Sequence, residues 1–169
     1  MILGMSTSTF TLVHVVISLI GIFAGLIVLF GMFSAKRLSG WTALFLVTTV
    51  LTSVTGFFFH STSFGPPHEV GVISLVVLAV AIPALYIYRL AGSWRWIYVA
   101  GAVTALYSNV FVGVVQAFQK LSLLQPLAPT QSEPPFLVAQ AVVLAIFVVL
   151  GIVAVRSFHP EKEPASISV

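Results

Sequence analysis

The sequence predicts an all-α, polytopic transmembrane helix bundle. Three observations carry that reading. Hydrophobic residues make up 59% of the 169 positions and charged residues 7%, against about 25% charged in an ordinary soluble domain. The apolar residues fall in five long stretches, at 10–33, 41–60, 68–90, 95–119 and 135–157, and roughly 20 apolar helical residues cross a hydrocarbon core about 30 Å thick. None of the stretches shows the period-2 alternation of a barrel strand, and backbone groups in lipid must be satisfied internally, so each is a helix. The whole chain, 1–169, forms a single integral membrane domain.

Basic residues set the expected orientation, because Lys and Arg near short loops stay on the cytoplasmic side. Lys36 and Arg37 lie after span one, Arg89 and Arg95 flank the third loop, and Arg156 and Lys162 follow span five; Lys120 alone falls on the other side. The N-terminus is thus expected outside and the C-terminus inside. Trp41, Trp94, Trp96, Tyr86, Tyr88 and Tyr98 crowd the inner ends, where amphipathic rings favour the interface. The first ten residues hold no Lys or Arg, so span one lacks the charged flank of a cleaved leader and is expected to be retained.

The spans begin and end on recognisable signals. Gly65-Pro66-Pro67-His68-Glu69 reads as a tight outer turn feeding span three with an acid in its first turn. Pro134 and Pro135 open span five, where a missing N–H costs nothing. Leu121, Leu123, Leu124 and Leu127 make the outer loop apolar enough to lie along the interface. The tail at 160–169 reads as mobile. Pro83 cannot donate to the carbonyl of Ala79 and predicts a kink in span three, with packing rather than gating as its role.

Polar side chains in lipid are costly and face the bundle interior, so their spacing marks the packed faces. His14, Ser18, Gly21 and Gly25 form one stripe on span one, with Gly21 and Gly25 as a close-packing pair. Thr49, Thr52 with Ser53, Gly56 and His60 repeat the pattern on span two. Span four carries Tyr98, Ala102, Ala105, Asn109, Val112 and Gln116 on one face, and Gln140 of span five is positioned to meet Gln116. Two readings of these amides stay open: a network tying helices together, or the polar lining of a ligand pocket formed by Ser18, Asn109, Gln116 and Gln140.

His14, His60 and His68 come from three spans and gather at the outer side. Neutral imidazole suits Zn or Cu, and two facing histidines suit haem iron, so these three are the candidate metal or haem ligands, with Glu69 beside them. Against this stands the reading that they are structural or solvated, since no fixed-spacing metal signature accompanies them. The chain has no Cys and no Asp, which removes thiolate sites and Ser-His-Asp catalysis, and no enzymatic activity is expected. The scattered basic residues form no face for nucleic acid.

The run Trp94-Arg95-Trp96-Ile97-Tyr98, then Leu106-Tyr107-Ser108-Asn109-Val110-Phe111-Val112, then Ala128-Pro129-Thr130-Gln131-Ser132-Glu133-Pro134-Pro135-Phe136 resembles small multispanning bacterial inner-membrane proteins of uncharacterised activity. The resemblance extends over most of the chain and implies a bacterial cytoplasmic membrane, but no activity, cofactor or site. Three functions compete: a periplasm-facing polar pocket for a metal, haem or small amphiphile; an accessory or scaffold subunit of a larger membrane complex, or one that self-associates; and a small-solute transporter or channel. The lack of embedded carboxylates, of a charged pore ring and of internal repeats disfavours the third.

Overall fold

A computed structural model describes residues 4–59 and 66–160. His60 and the tail from 161 onward lie outside the described residues, as does the turn residue Gly65. Five helices account for most of the rest: α1 (Thr7–Phe33), α2 (Ser39–Gly56), α3 (Pro66–Tyr86), α4 (Trp94–Lys120) and α5 (Pro134–Ser157), with one short 3-10 turn at Gln125–Leu127. All five are long and apolar enough to cross a membrane.

The helix ends follow from local chemistry. The Ser6 hydroxyl accepts from the Thr9 N–H at 3.1 Å, an N-cap that starts α1 at Thr7, three residues before the apolar run alone suggests. At the other end Lys36 N–H reaches Gly31 O and Ala35 N–H reaches Met32 O, with Ala35 left-handed at φ 53°. This is the paired closure that satisfies a helix's last carbonyls.

Two spans are shorter than the apolar pattern predicts. Helix α2 stops at Gly56 instead of 60, and Phe57 to Phe59 continue as turns. Helix α3 stops at Tyr86 instead of 90: Ile87 N–H still bonds Pro83 O one turn back, but Tyr88 N–H falls on the same carbonyl, and Arg89 and Leu90 adopt positive φ. Pro83 lies in the last turn of α3, so the carbonyl it leaves without a donor, Ala79 O, lies one turn earlier, short of the helix end. Apolarity at 87–90 belongs to the exit turn, and Tyr88 there stacks on Trp94 at 3.9 Å between ring centroids.

Helices α1 to α4 close a ring, each against the next and α4 against α1, while α5 lies outside it against α4 and α1. The ring's interior holds Leu29, Met32, Phe45, Leu46, Leu78, Leu85, Tyr98, Val99 and Leu106. Close approach depends on small residues: a Cβ on Gly25 would sit 2.6 Å from Leu106 Cδ1 and 2.9 Å from Phe45 Cδ2. A second, smaller cluster of Val115, Phe118, Ala128 and Phe136 joins α4, the loop and α5 at the far end. The outward surface is a belt of large apolar side chains, among them Leu12, Phe23, Phe30, Val47, Val76, Val138 and Val149.

The antiparallel order sorts charge between the two ends. Lys36, Arg37, Arg89, Arg95 and Arg156 adjoin the C-termini of α1, α3 and α5 and the N-termini of α2 and α4, here called the basic end. The described carboxylates, Glu69 and Glu133, stand at the opposite, acidic end together with Lys120.

Candidate functional site

His14 sits two turns into α1 toward the acidic end, half-buried against α2. Its Nδ1 is 2.7 Å from Thr55 Oγ1. The Thr55 hydroxyl also lies 2.6 Å from Leu51 O, to which it donates its one proton. The proton of the His14 bond must then come from Nδ1–H, so the neutral ring keeps its lone pair on Nε2. The face of the ring is walled by Phe59, edge-on at 5.1 Å, and Phe59 is in turn 5.2 Å from Phe10. Gly56 also faces the ring, where a Cβ would sit in ordinary contact, 3.8 Å from His14 Cε1. Ser18 turns back to donate to His14 O at 2.7 Å.

Thr55 is the residue that the sequence reading missed. The stripe through Thr49, Ser53 and Gly56 defines a real face of α2, but His14 meets the adjacent one, where Thr48, Thr52 and Thr55 recur at i, i+4 and i+7. That second spacing was the available signal. The hydroxyls of Thr48 and Thr52 both bond back to carbonyls one turn earlier, Leu44 O at 2.7 Å and Thr48 O at 2.8 Å.

The polar residues expected to line one pocket are distributed among separate contacts. Asn109 is buried mid-helix and its Nδ2 donates to Thr49 Oγ1 at 3.3 Å, tying α4 to α2. Gly21 makes room for the neighbouring Thr48 and for the Asn109 amide, since a Cβ there would meet Thr48 Oγ1 at 3.1 Å and Asn109 Nδ2 at 3.5 Å. Ser53 and Ser74 join α2 to α3 at 3.2 Å. Gln140 donates to Phe111 O at 3.2 Å, while Gln116 donates along its own helix to Gln119 Oε1 at 3.5 Å. The anticipated Gln116–Gln140 contact is replaced by these two bonds. The Gln140 Oε1 stays buried with no hydrogen-bond partner.

His68 opens α3 with its ring 5.8 Å from that of Phe57. Among the described residues no three His, Cys, Asp or Glu side chains stand close enough to hold a metal ion; His60 is outside that set. The acidic end is closed by the loop after α4, whose Gln131 side chain donates to Val115 O at 3.2 Å. Glu133 gathers three donors there: Thr130 Oγ1 at 2.8 Å, Thr130 N–H at 3.2 Å and Ser132 N–H at 3.1 Å. Loss of hydration opposes its ionisation, but these bonds outweigh it and hold the carboxyl below its ordinary value.

At the basic end the best-defined polar contact is Arg95. Its Nη1 donates to Val155 O and Phe158 O, each at 2.8 Å, so the first turn of α4 clamps the last carbonyls of α5. Comparison of the chain with protein-family models, with curated proteins and with solved structures found no match.

Proposed function

We propose that the chain is a multi-pass protein of the bacterial cytoplasmic membrane, N-terminus outside and C-terminus inside, which binds a small ligand at His14 near its outer rim. The charge asymmetry supports the orientation, because cations are retained on the cytoplasmic side. One observation carries the site: the Thr55 bond orients the His14 ring and fixes its tautomer, leaving Nε2 as an uncommitted acceptor among the described residues. An ionisable side chain within a span is costly and is by default a functional candidate. An imidazole held in this way can ligate a divalent metal or haem iron, or accept a hydrogen bond from the polar head of an amphiphile.

The test is titration of the purified full chain, in mild detergent, with Zn²⁺, Cu²⁺ and haem, followed by metal analysis and visible absorbance. Binding should be lost in His14→Ala and weakened roughly tenfold or more in Thr55→Val, the usual effect of removing a residue that orients a ligand. Failure of all three probes to bind, or binding indifferent to His14→Ala, would overturn the metal and haem version.

A second reading is supported by α5, of which only 11% of the most apolar stretch is buried. A helix so loosely covered suits an accessory subunit that docks beside a larger membrane protein. Extraction in mild detergent should then yield a stoichiometric partner that cross-links to α5.

A further inference from the structure

A lateral groove of about 400 Å³ runs between α4 and α5 and opens to the outward belt. Its floor is apolar, formed by Val103, Tyr107, Phe147 and Val155, and it exists because small residues stand along it, Ala100 on one helix and Gly151 on the other. From Leu144 to Arg156 the lining covers about 18 Å of α5 at 1.5 Å per residue. One leaflet of a bilayer core is about 15 Å deep. The groove therefore has the depth of a single acyl chain and starts at the basic end.

Its mouth there is Arg156, exposed in the last turn of α5, with no hydrogen bond or ion pair among the described residues. The Arg95 guanidinium is bonded beside it at Val155 O and Phe158 O, and no described carboxylate shares this end of the bundle. Among the described residues, two guanidiniums thus stand at the end of an apolar channel without a carboxylate; Glu161 and Glu163 of the tail lie outside the described residues. Arginine matches phosphate oxygens in a fixed, two-pronged geometry, and basic sites between membrane helices attract anionic head groups.

We propose that this groove binds one acyl chain of an anionic phospholipid whose phosphate is held by Arg156. The site is separate from His14 and does not depend on which side of the membrane the basic end faces. A neutral apolar occupant would leave the guanidinium uncompensated; a zwitterionic lipid would carry its own cation into a region already positive. An anionic head group supplies the counter-charge that no described residue offers at this end.

The test compares phosphatidylglycerol with phosphatidylcholine, each offered to the delipidated full chain in detergent, with retained phospholipid per chain read by phosphorus assay or native mass spectrometry. The wild type should prefer phosphatidylglycerol about fivefold, the effect of one basic residue at an anionic head group. Arg156→Gln should abolish that preference and Arg37→Gln should leave it intact. Thr104→Phe, which fills the groove, should reduce retention of both lipids. Equal retention of the two lipids by the wild type overturns the proposal, as does equal loss in Arg156→Gln and Arg37→Gln, which would mean only general surface charge. Because the chain has no cysteine, Leu144→Cys gives a single thiol; disulfide-linked pairs of chains in the membrane would mean that a second copy covers the groove, and would also overturn it.

Discussion

Helices α4 and α5 are similar in length, 27 and 24 residues, yet 44% of the most apolar stretch of α4 is buried inside the bundle against 11% for α5. The more apolar helix is the less buried one. In water that would be a contradiction; in lipid it is the rule, because acyl chains solvate Leu, Val and Ile as well as a protein core does. What draws a helix inward is the chance for its backbone to approach another closely and for its polar atoms to find partners. Helix α4 offers Gly101, Ala102, Ala105, Ser108 and Asn109, and all of these are buried or half-buried. Helix α5 offers Val142, Leu144, Ile146, Val148, Val149 and Ile152, all exposed.

The two helices are accordingly held in different ways. Helix α4 is held along its length by packing; α5 has one buried mid-helix anchor, Phe147, with its ring centroid 5.7 Å from that of Tyr107, and its polar contacts lie toward its ends. At the basic end Arg95 clamps Val155 and Phe158. At the acidic end Phe136 packs edge-on against Phe118 at 5.4 Å and Gln140 bonds Phe111 O.

The largest effect that separates the two is expected at Gly101. A Cβ there would lie 2.9 Å from Ala81 Cβ and 3.3 Å from Val77 O, and a neighbouring backbone cannot swing aside as a side-chain tip can. Gly101→Val should cost about 3 kcal/mol, the upper range for overpacking. Val149→Ala, on the open face of α5 at 59% exposure, should stay within about 0.5 kcal/mol. Reversible unfolding in mixed detergent micelles reads both. Similar losses for the two variants would mean that α5 is packed against something along its length, which would favour the accessory-subunit reading over a free lipid face.

The next effect belongs to the clamp. Arg95→Leu leaves two carbonyls at the end of α5 without their charged donor, a loss of about 1.5–3 kcal/mol. If α5 is held by its ends, the damage should be local: hydrogen exchange should rise across 150–158 while α1 to α4 keep their protection. Uniform loss of protection would show instead that α4 and α5 unfold as one unit.

The contrast between the helices also shows what the sequence could reveal. The number and approximate extent of the five spans were legible because hydrophobic length is a one-dimensional property. Helix ends were less so, since Phe57 to Phe59 and Ile87, Tyr88 and Leu90 are apolar residues in turns, and apolarity does not distinguish a turn at an interface from a helix in lipid. The glycine and hydroxyl stripes marked faces without naming the facing helix. His14 was singled out by its cost in lipid, but Thr55 was overlooked because two hydroxyl stripes run side by side on α2. Gln116 and Gln140 were paired by their depth along the membrane; the rotation of each helix about its own axis, which packing sets, sends them elsewhere. Arg95 was read only as an orientation signal, because its partners are backbone carbonyls that carry no sequence signature.

The smallest expected effect is at the other end of α5, where Glu133 precedes Pro134 and organises the loop through Thr130 and Ser132. Its folded carboxyl titrates below the ordinary value of 4.5. A group depressed in this way adds stability that is fully present above the unfolded value and fades as pH falls through the folded one. Acidification should therefore loosen the loop progressively as pH falls below about 4.5, while neutral and mildly alkaline conditions leave it unchanged. Because the carboxylate is solvent-accessible, the effect should be confined to the loop and the first turn of α5. Hydrogen exchange at 130–137, corrected for the intrinsic pH dependence of exchange, is the measurement, and Glu133→Gln should show the loosened loop at every pH. An acid transition that survives in Glu133→Gln would move the pH-sensitive group elsewhere at this end and leave Phe136, Gln140 and Gln131 as the contacts that hold α5 there.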